Sequence, residues 1–117
     1  IMKDYRLYLI HIRDCLTRVK DYTSKGKESF YEENLIQDAV MRNLEVMCES
    51  IKKLPDEWKA SEPNTPWHKI VGFRNKLAHE YLDVDLDVVW DIVENYLPEL
   101  EIAIEKIAER FWESQIY

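Results

Sequence analysis

An all-α fold follows from three features of the sequence. Two of the 117 residues are glycine and four are proline, too few turn formers for a many-stranded sheet. Apolar residues make up 46% and charged residues 33%, weighted toward strong helix formers. Over long stretches the apolar residues recur at three-and-four spacing, the period of a helix with one buried stripe. The length suits a single domain, residues 1–117, whose one core buries about 60 to 70% of the unfolded surface. The expected architecture is an antiparallel up-and-down bundle of four main helices.

The first helix is expected from Met2 to Tyr22, with Leu9, Ile12, Leu16 and Val19 as its buried stripe. Gly26, in "TSKGK", is its expected stop. Ser29 and Glu32 read as a capping box for a second helix. Its stripe of Ile36, Val40, Leu44, Met47, Ile51 and Leu54 leads to Pro55. "LPDEWKASEPNTP" is a loop, although Trp58 predicts that part of it folds back onto the body. Thr65 as N-cap and Pro66 at the first helical position open a third helix, expected over Pro66 to Glu80. Asp83 or Asp85 is expected to cap the fourth. There Val89, Val93, Tyr96, Leu100, Ile104, Ile107 and Phe111 hold one helical phase straight through Pro98, which predicts a single helix kinked at the proline.

The formal net charge of −7 excludes a protein that coats nucleic acid through a broad basic surface. Residues 67–81 are the local exception, with Lys69, Arg74, Lys76 and two histidines against Glu80. Cys15 and Cys48 form no CxxC pair and read as small buried hydrophobes. With no membrane-length apolar run and no signal-peptide pattern, the expectation is a soluble cytoplasmic protein without membrane contact. No HExxH, phosphate-cradling glycine loop or GxSxG appears, so neither a metal site nor a bound cofactor is expected.

Within "VGFRNKLAHEYLDVD" the residues divide by angle. Arg74 and His79, five apart, point about 140° from each other on an ideal helix, at about 100° per residue. One face reads Trp67, Ile70, Arg74, Leu77, Tyr81, an apolar stripe interrupted by a guanidinium. Such a cation needs carboxylates, a cleft or an anion. Glu45 and Glu49 on the second helix are the candidates for a purely structural ion pair. The other face reads His68, Gly72, Asn75, His79. A helical glycine costs roughly 1 kcal/mol against alanine, so Gly72 predicts close approach of another backbone, from this chain or a second subunit. Asn75 can hydrogen-bond His79 and fix its tautomer. An exposed histidine at a helix end remains the plain alternative. Arginine and histidine without metal suit RNA cleavage by 2′-hydroxyl attack, histidine moving protons and arginine stabilising the charged phosphorane.

Arg74, Asn75, His79 and Tyr81 stand as R-N-x-x-x-H-x-Y, which resembles the motif of the HepT toxins, within the HEPN superfamily of small helical ribonuclease domains. "QDAVMRNLEVMCESIKKLP", "PW..IVGFRNKLAHEYLDVD" and "VWDIVENYLPEL" follow that family's order across residues 36 to about 100; Cys48 stands where many relatives have glycine. The resemblance implies a homodimer whose motif helices meet at a shared cleft. It also implies catalysis by Arg74 and His79 with Asn75 supporting, and an RNA substrate. The implied setting is a type VII toxin–antitoxin pair, in which an MNT-type nucleotidyltransferase antitoxin transfers AMP to Tyr81. The alternative is a non-catalytic helical dimer that binds the nucleotidyltransferase, which the acidic composition suits.

Overall fold

The computed structural model describes residues 4–79 and 84–115, without the side chains of 78, 79 and 115. It is all-helical, and four main helical runs form the bundle, with two short helices in the connections. Helix α1 (Arg6–Tyr22) lies against α3 (Asn34–Lys52), which in turn packs on α5 (Trp67–His79). The last run comprises α6 (Leu86–Asp91), a π turn (Ile92–Tyr96) and α7 (Leu97–Phe111), with α7 also packed on α1. Its 26 positions at 1.5 Å each reach about 39 Å, which accounts for much of the 48 Å long axis.

Each boundary has a local cause. Helix α1 begins at Arg6, later than the expected start; Met2 lies outside the described residues. The Asp4 carboxylate accepts from the Arg6 backbone N–H at 3.0 Å and from its guanidinium at 2.8 Å. Those Arg6 hydrogen bonds hold the Asp4 carboxyl below its usual range. Helix α1 ends at Tyr22, as expected, but its cap is Thr23 and not Gly26; Gly26, at φ 98°, is instead the cap position of α2 (Lys27–Glu32), in a backbone region that disfavours side chains. Ser29 therefore lies inside α2 and forms no capping box. The helix breaks at extended Glu33, and Gln37 Nε2 bridges the break by donating to the carbonyls of Phe30 and Tyr31 at 2.9 and 3.2 Å.

The expected stripes of α1 and α3 are buried, except that Ile36 is half-buried. Trp58, on α4 (Asp56–Ala60), does fold back. It is 3% exposed, stacks on Phe111 at 5.2 Å and meets Tyr5 edge-on. Trp67 Nε1 ties the same loop by donating to the Lys59 and Glu62 carbonyls. Helix α5 starts one residue late, because the Pro66 carbonyl accepts from Ile70 N–H and so occupies the cap. Asp85 caps α6, accepting from Asp87 N–H at 2.9 Å; Asp83 lies outside the described residues.

Around Pro98 the sequence expectation needs correction. The run is continuous, but it passes through the π turn at Ile92–Tyr96 instead of keeping one α-helical phase. Proline has no N–H to give the carbonyl four residues back and clashes with it; one extra residue per turn relieves both. Burial consequently steps by five, from Ile92 to Leu97, and Val93 and Tyr96 are only half-buried.

Candidate active site

Three residues of α5, Ile70, Phe73 and Leu77, are buried against the core. Phe73, which meets the Tyr96 ring edge-on at 5.2 Å, takes the place in the stripe that the spacing gave to Arg74. Arg74 therefore flanks the apolar face, with its side chain 43% exposed. The structure uses one of the two anticipated carboxylates: Arg74 Nε lies 2.7 Å from Glu49 Oε1, while Glu45 is 3.7 Å from Arg42. Because the Glu49 side chain is itself 40% exposed, this pair is not the sealed structural bridge of a plain scaffold.

Two clefts meet at Arg74. The first, about 300 Å³, lies between α3 and α5 and is lined by Glu49, Lys52, His68, Gly72, Arg74 and Asn75, among others. The second, about 390 Å³, opens on the other side of Arg74 toward α1. The angular division of the motif is thus partly overcome: the long arginine arm reaches the cleft of His68, Gly72 and Asn75 although its Cα lies on a neighbouring face. His79 ends α5, but its side chain, like Glu80 and Tyr81 entirely, lies outside the described residues. A pairing of Asn75 with His79 therefore lies there too.

Among the described residues Gly72 meets no other backbone; a Cβ placed there has none of them within 4 Å. What the glycine leaves is an open cleft wall. The expected basic patch is also divided. Lys69 turns to the other side of α5, its ammonium 5.0 Å above the Tyr96 ring, and Lys76 lines a small cavity with Val84 and Val88. Lys52 of α3 joins the cleft instead, a contribution hidden in the sequence because it depends on how α3 crosses α5.

Cys48 is buried beneath Arg74 and donates its thiol hydrogen to the Ile70 carbonyl at 3.2 Å. Burial pushes this thiol up to about 12, against the opposing pull of a hydrogen bond from the Arg74 backbone. Linking Ile70 and Arg74, one turn apart, it fixes the backbone from which the guanidinium extends. Among the described residues no group of three or more His, Cys, Asp or Glu side chains could hold a metal ion, and no helix is long and apolar enough to cross a membrane.

An arginine, an asparagine and a histidine around an open polar cleft in an all-helical domain define a class, a small helical module with one polar site. Comparison with known proteins gives the family. The sequence profile described as "Ribonuclease HepT-like" matches residues 12–107. A Methanocaldococcus jannaschii protein named "Gamma-glutamylcyclotransferase and putative RNase" is 35% identical over 92% of this chain, which spans only 49% of that protein. A "Putative RNase" of Caldanaerobacter subterraneus subsp. tengcongensis is 33% identical, with 93% of this chain and 98% of the relative covered. A "Probable ribonuclease HepT" of Thermococcus cleftensis is 31% identical, covering 90% and 96%. No solved structure matches the chain. The chain belongs to the HepT-like ribonuclease family.

Proposed function

We propose that this chain is a metal-independent endoribonuclease and the toxin of a toxin–antitoxin pair. The observation that carries the reading is Arg74, a half-exposed guanidinium at the junction of two clefts in a chain of this family. In the reaction the ribose 2′-oxygen bonds to phosphorus and the bond from phosphorus to the 5′-oxygen breaks, leaving a 2′,3′-cyclic phosphate and a 5′-hydroxyl. His79 takes the 2′-hydroxyl proton, and in a homodimer the second copy of His79 supplies one to the departing oxygen. Arg74 binds the phosphorane oxygens through two N–H groups. Asn75 holds the imidazole in register. Gly72, with none of the described residues within 4 Å of a Cβ placed there, is the natural place for a second protomer to approach.

Control comes, in this reading, from an MNT-type nucleotidyltransferase. The Tyr81 oxygen attacks the α-phosphorus of ATP, pyrophosphate leaves, and the phenolic proton is released. The tyrosyl-AMP then sets a negative phosphate beside the cation that substrate needs. Incubation of the purified protein with RNA and a chelator tests the catalytic part: cyclic-phosphate ends are expected, and intact RNA would overturn it. Intact mass after incubation with the partner enzyme and ATP tests the modification, which Tyr81→Phe should abolish; its persistence would move the site.

One observation favours a second reading. Glu49 already gives Arg74 a counter-ion at 2.7 Å, as a non-catalytic module that presents its helices to the nucleotidyltransferase would need. Stable co-purification with that enzyme and no RNA cleavage would favour this alternative.

A further inference from the structure

Apart from Arg74, the residues that line the second cleft have no part in the chemistry above. The cleft is lined from α1 by Tyr8 and His11, from α3 by Arg42, Glu45 and Glu49, from the α3 C-cap by Lys53, and from α5 by Arg74. Arg42, Val46, Glu49 and the C-cap residue Lys53 follow one another at four, three and four residues, so they continue one face of α3. At 1.5 Å per residue, Arg42 lies about 10 Å to one side of Glu49, and Lys53 about 6 Å to the other. Since Glu49 holds Arg74, three cations are strung along the groove with the motif arginine between its neighbours. The Arg42 side chain is 75% exposed and makes only a loose 3.7 Å pair with Glu45. The Lys53 ammonium stands 5.8 Å above the Tyr8 ring.

We propose that this groove between α1 and α3 is a binding subsite for single-stranded RNA, in which Arg42 and Lys53 hold backbone phosphates on either side of Arg74 and Tyr8 offers a ring to a base. The inference rests on the ribonuclease reading and extends it to the path of the strand. A row of cations beside an aromatic ring suits a strand whose phosphates repeat and whose bases stack. An acidic peptide would use the cations and not the ring. Glu45 and Glu49 leave the empty groove with three cations against two carboxylates, so bound phosphates replace carboxylates as partners.

Binding of a short labelled oligouridine across a salt series tests the proposal, in His79→Ala protein so that the RNA stays whole. Adding Arg42→Ala and Lys53→Ala is expected to weaken binding about tenfold, as for two exposed charge-assisted contacts. The slope of log affinity against log salt should also fall by about 1.4, at about 0.7 per lost phosphate contact. Removing Lys25 and Lys106, an equal charge elsewhere on the surface, is expected to leave the slope unchanged. Equal slopes for the Arg42/Lys53 variant and its parent would overturn the subsite while leaving the ribonuclease reading intact. A parent protein that binds no oligouridine at any salt would overturn both. Loss of nucleotidyltransferase binding with unchanged RNA affinity would assign the groove to a protein partner and overturn the proposal.

Discussion

Arg74 combines a charge held in place with a charge kept available. Its pair with Glu49 is about 40% exposed on both sides, so by itself the pair stabilises the fold by under about 1 kcal/mol. Glu49→Gln should accordingly shift the unfolding free energy by less than that in urea titration; a loss of several kcal/mol would return the pair to a structural role. Cys48 behaves oppositely. Buried, with its thiol pushed up to about 12, it should resist iodoacetamide at neutral pH until the protein unfolds. The sign of its pH dependence follows. A thiol titrating higher folded than unfolded favours the folded state fully below its ordinary value of 9.0, and that stabilisation is lost as pH rises toward 12. Cys48→Ala should flatten the alkaline decline of Tm. Arg74 and its carboxylate candidates were legible in the sequence because a cation in an apolar stripe requires a partner. The choice of Glu49 over Glu45 was not, since it depends on the offset between two helices.

At the scale of elements, periodicity revealed which segments are helical and missed where they change phase. Gln37 stabilises the break at Glu33 from four residues further on, and no local pattern marks that bond. The π turn before Pro98 likewise comes from a proline that the run accommodates by adding a residue, which moves burial from Val93 and Tyr96 to Ile92 and Leu97. Trp58 was legible because a large ring in a polar loop has only the core in which to hide. Since it joins the loop to α1 and α7 through Tyr5 and Phe111, Trp58→Ala should cost about 3 to 5 kcal/mol by urea or thermal unfolding. A cost below 1 kcal/mol would mean that the stack does not hold the loop. Gly26→Ala, at φ 98°, should cost about 1 kcal/mol by the same measurement, although none of the described residues stands within 4 Å of the new methyl group.

For the whole molecule, the family and the bundle agree, while the roles of the motif residues and the second protomer enter only as proposals. Gly72 makes the latter proposal testable without harming the monomer. None of the described residues lies within 4 Å of a Cβ placed there, so Gly72→Trp should leave the helical circular dichroism unchanged. If the motif helices meet there, it should turn a dimer into a monomer in sedimentation equilibrium; an unchanged dimer would place the interface elsewhere. A site completed across a two-fold axis, as proposed, would also explain why one sequence shows the residues but not their arrangement: the angle of about 140° between Arg74 and His79 on one helix says nothing about their separation between two helices. The most direct test of the ribonuclease account is the rate of RNA cleavage in chelator by wild type, Arg74→Ala and His79→Ala, each matched for helical content. Wild type is expected to cleave, and either variant to lose at least about a hundredfold in rate. Equal cleavage by all three proteins would contradict it.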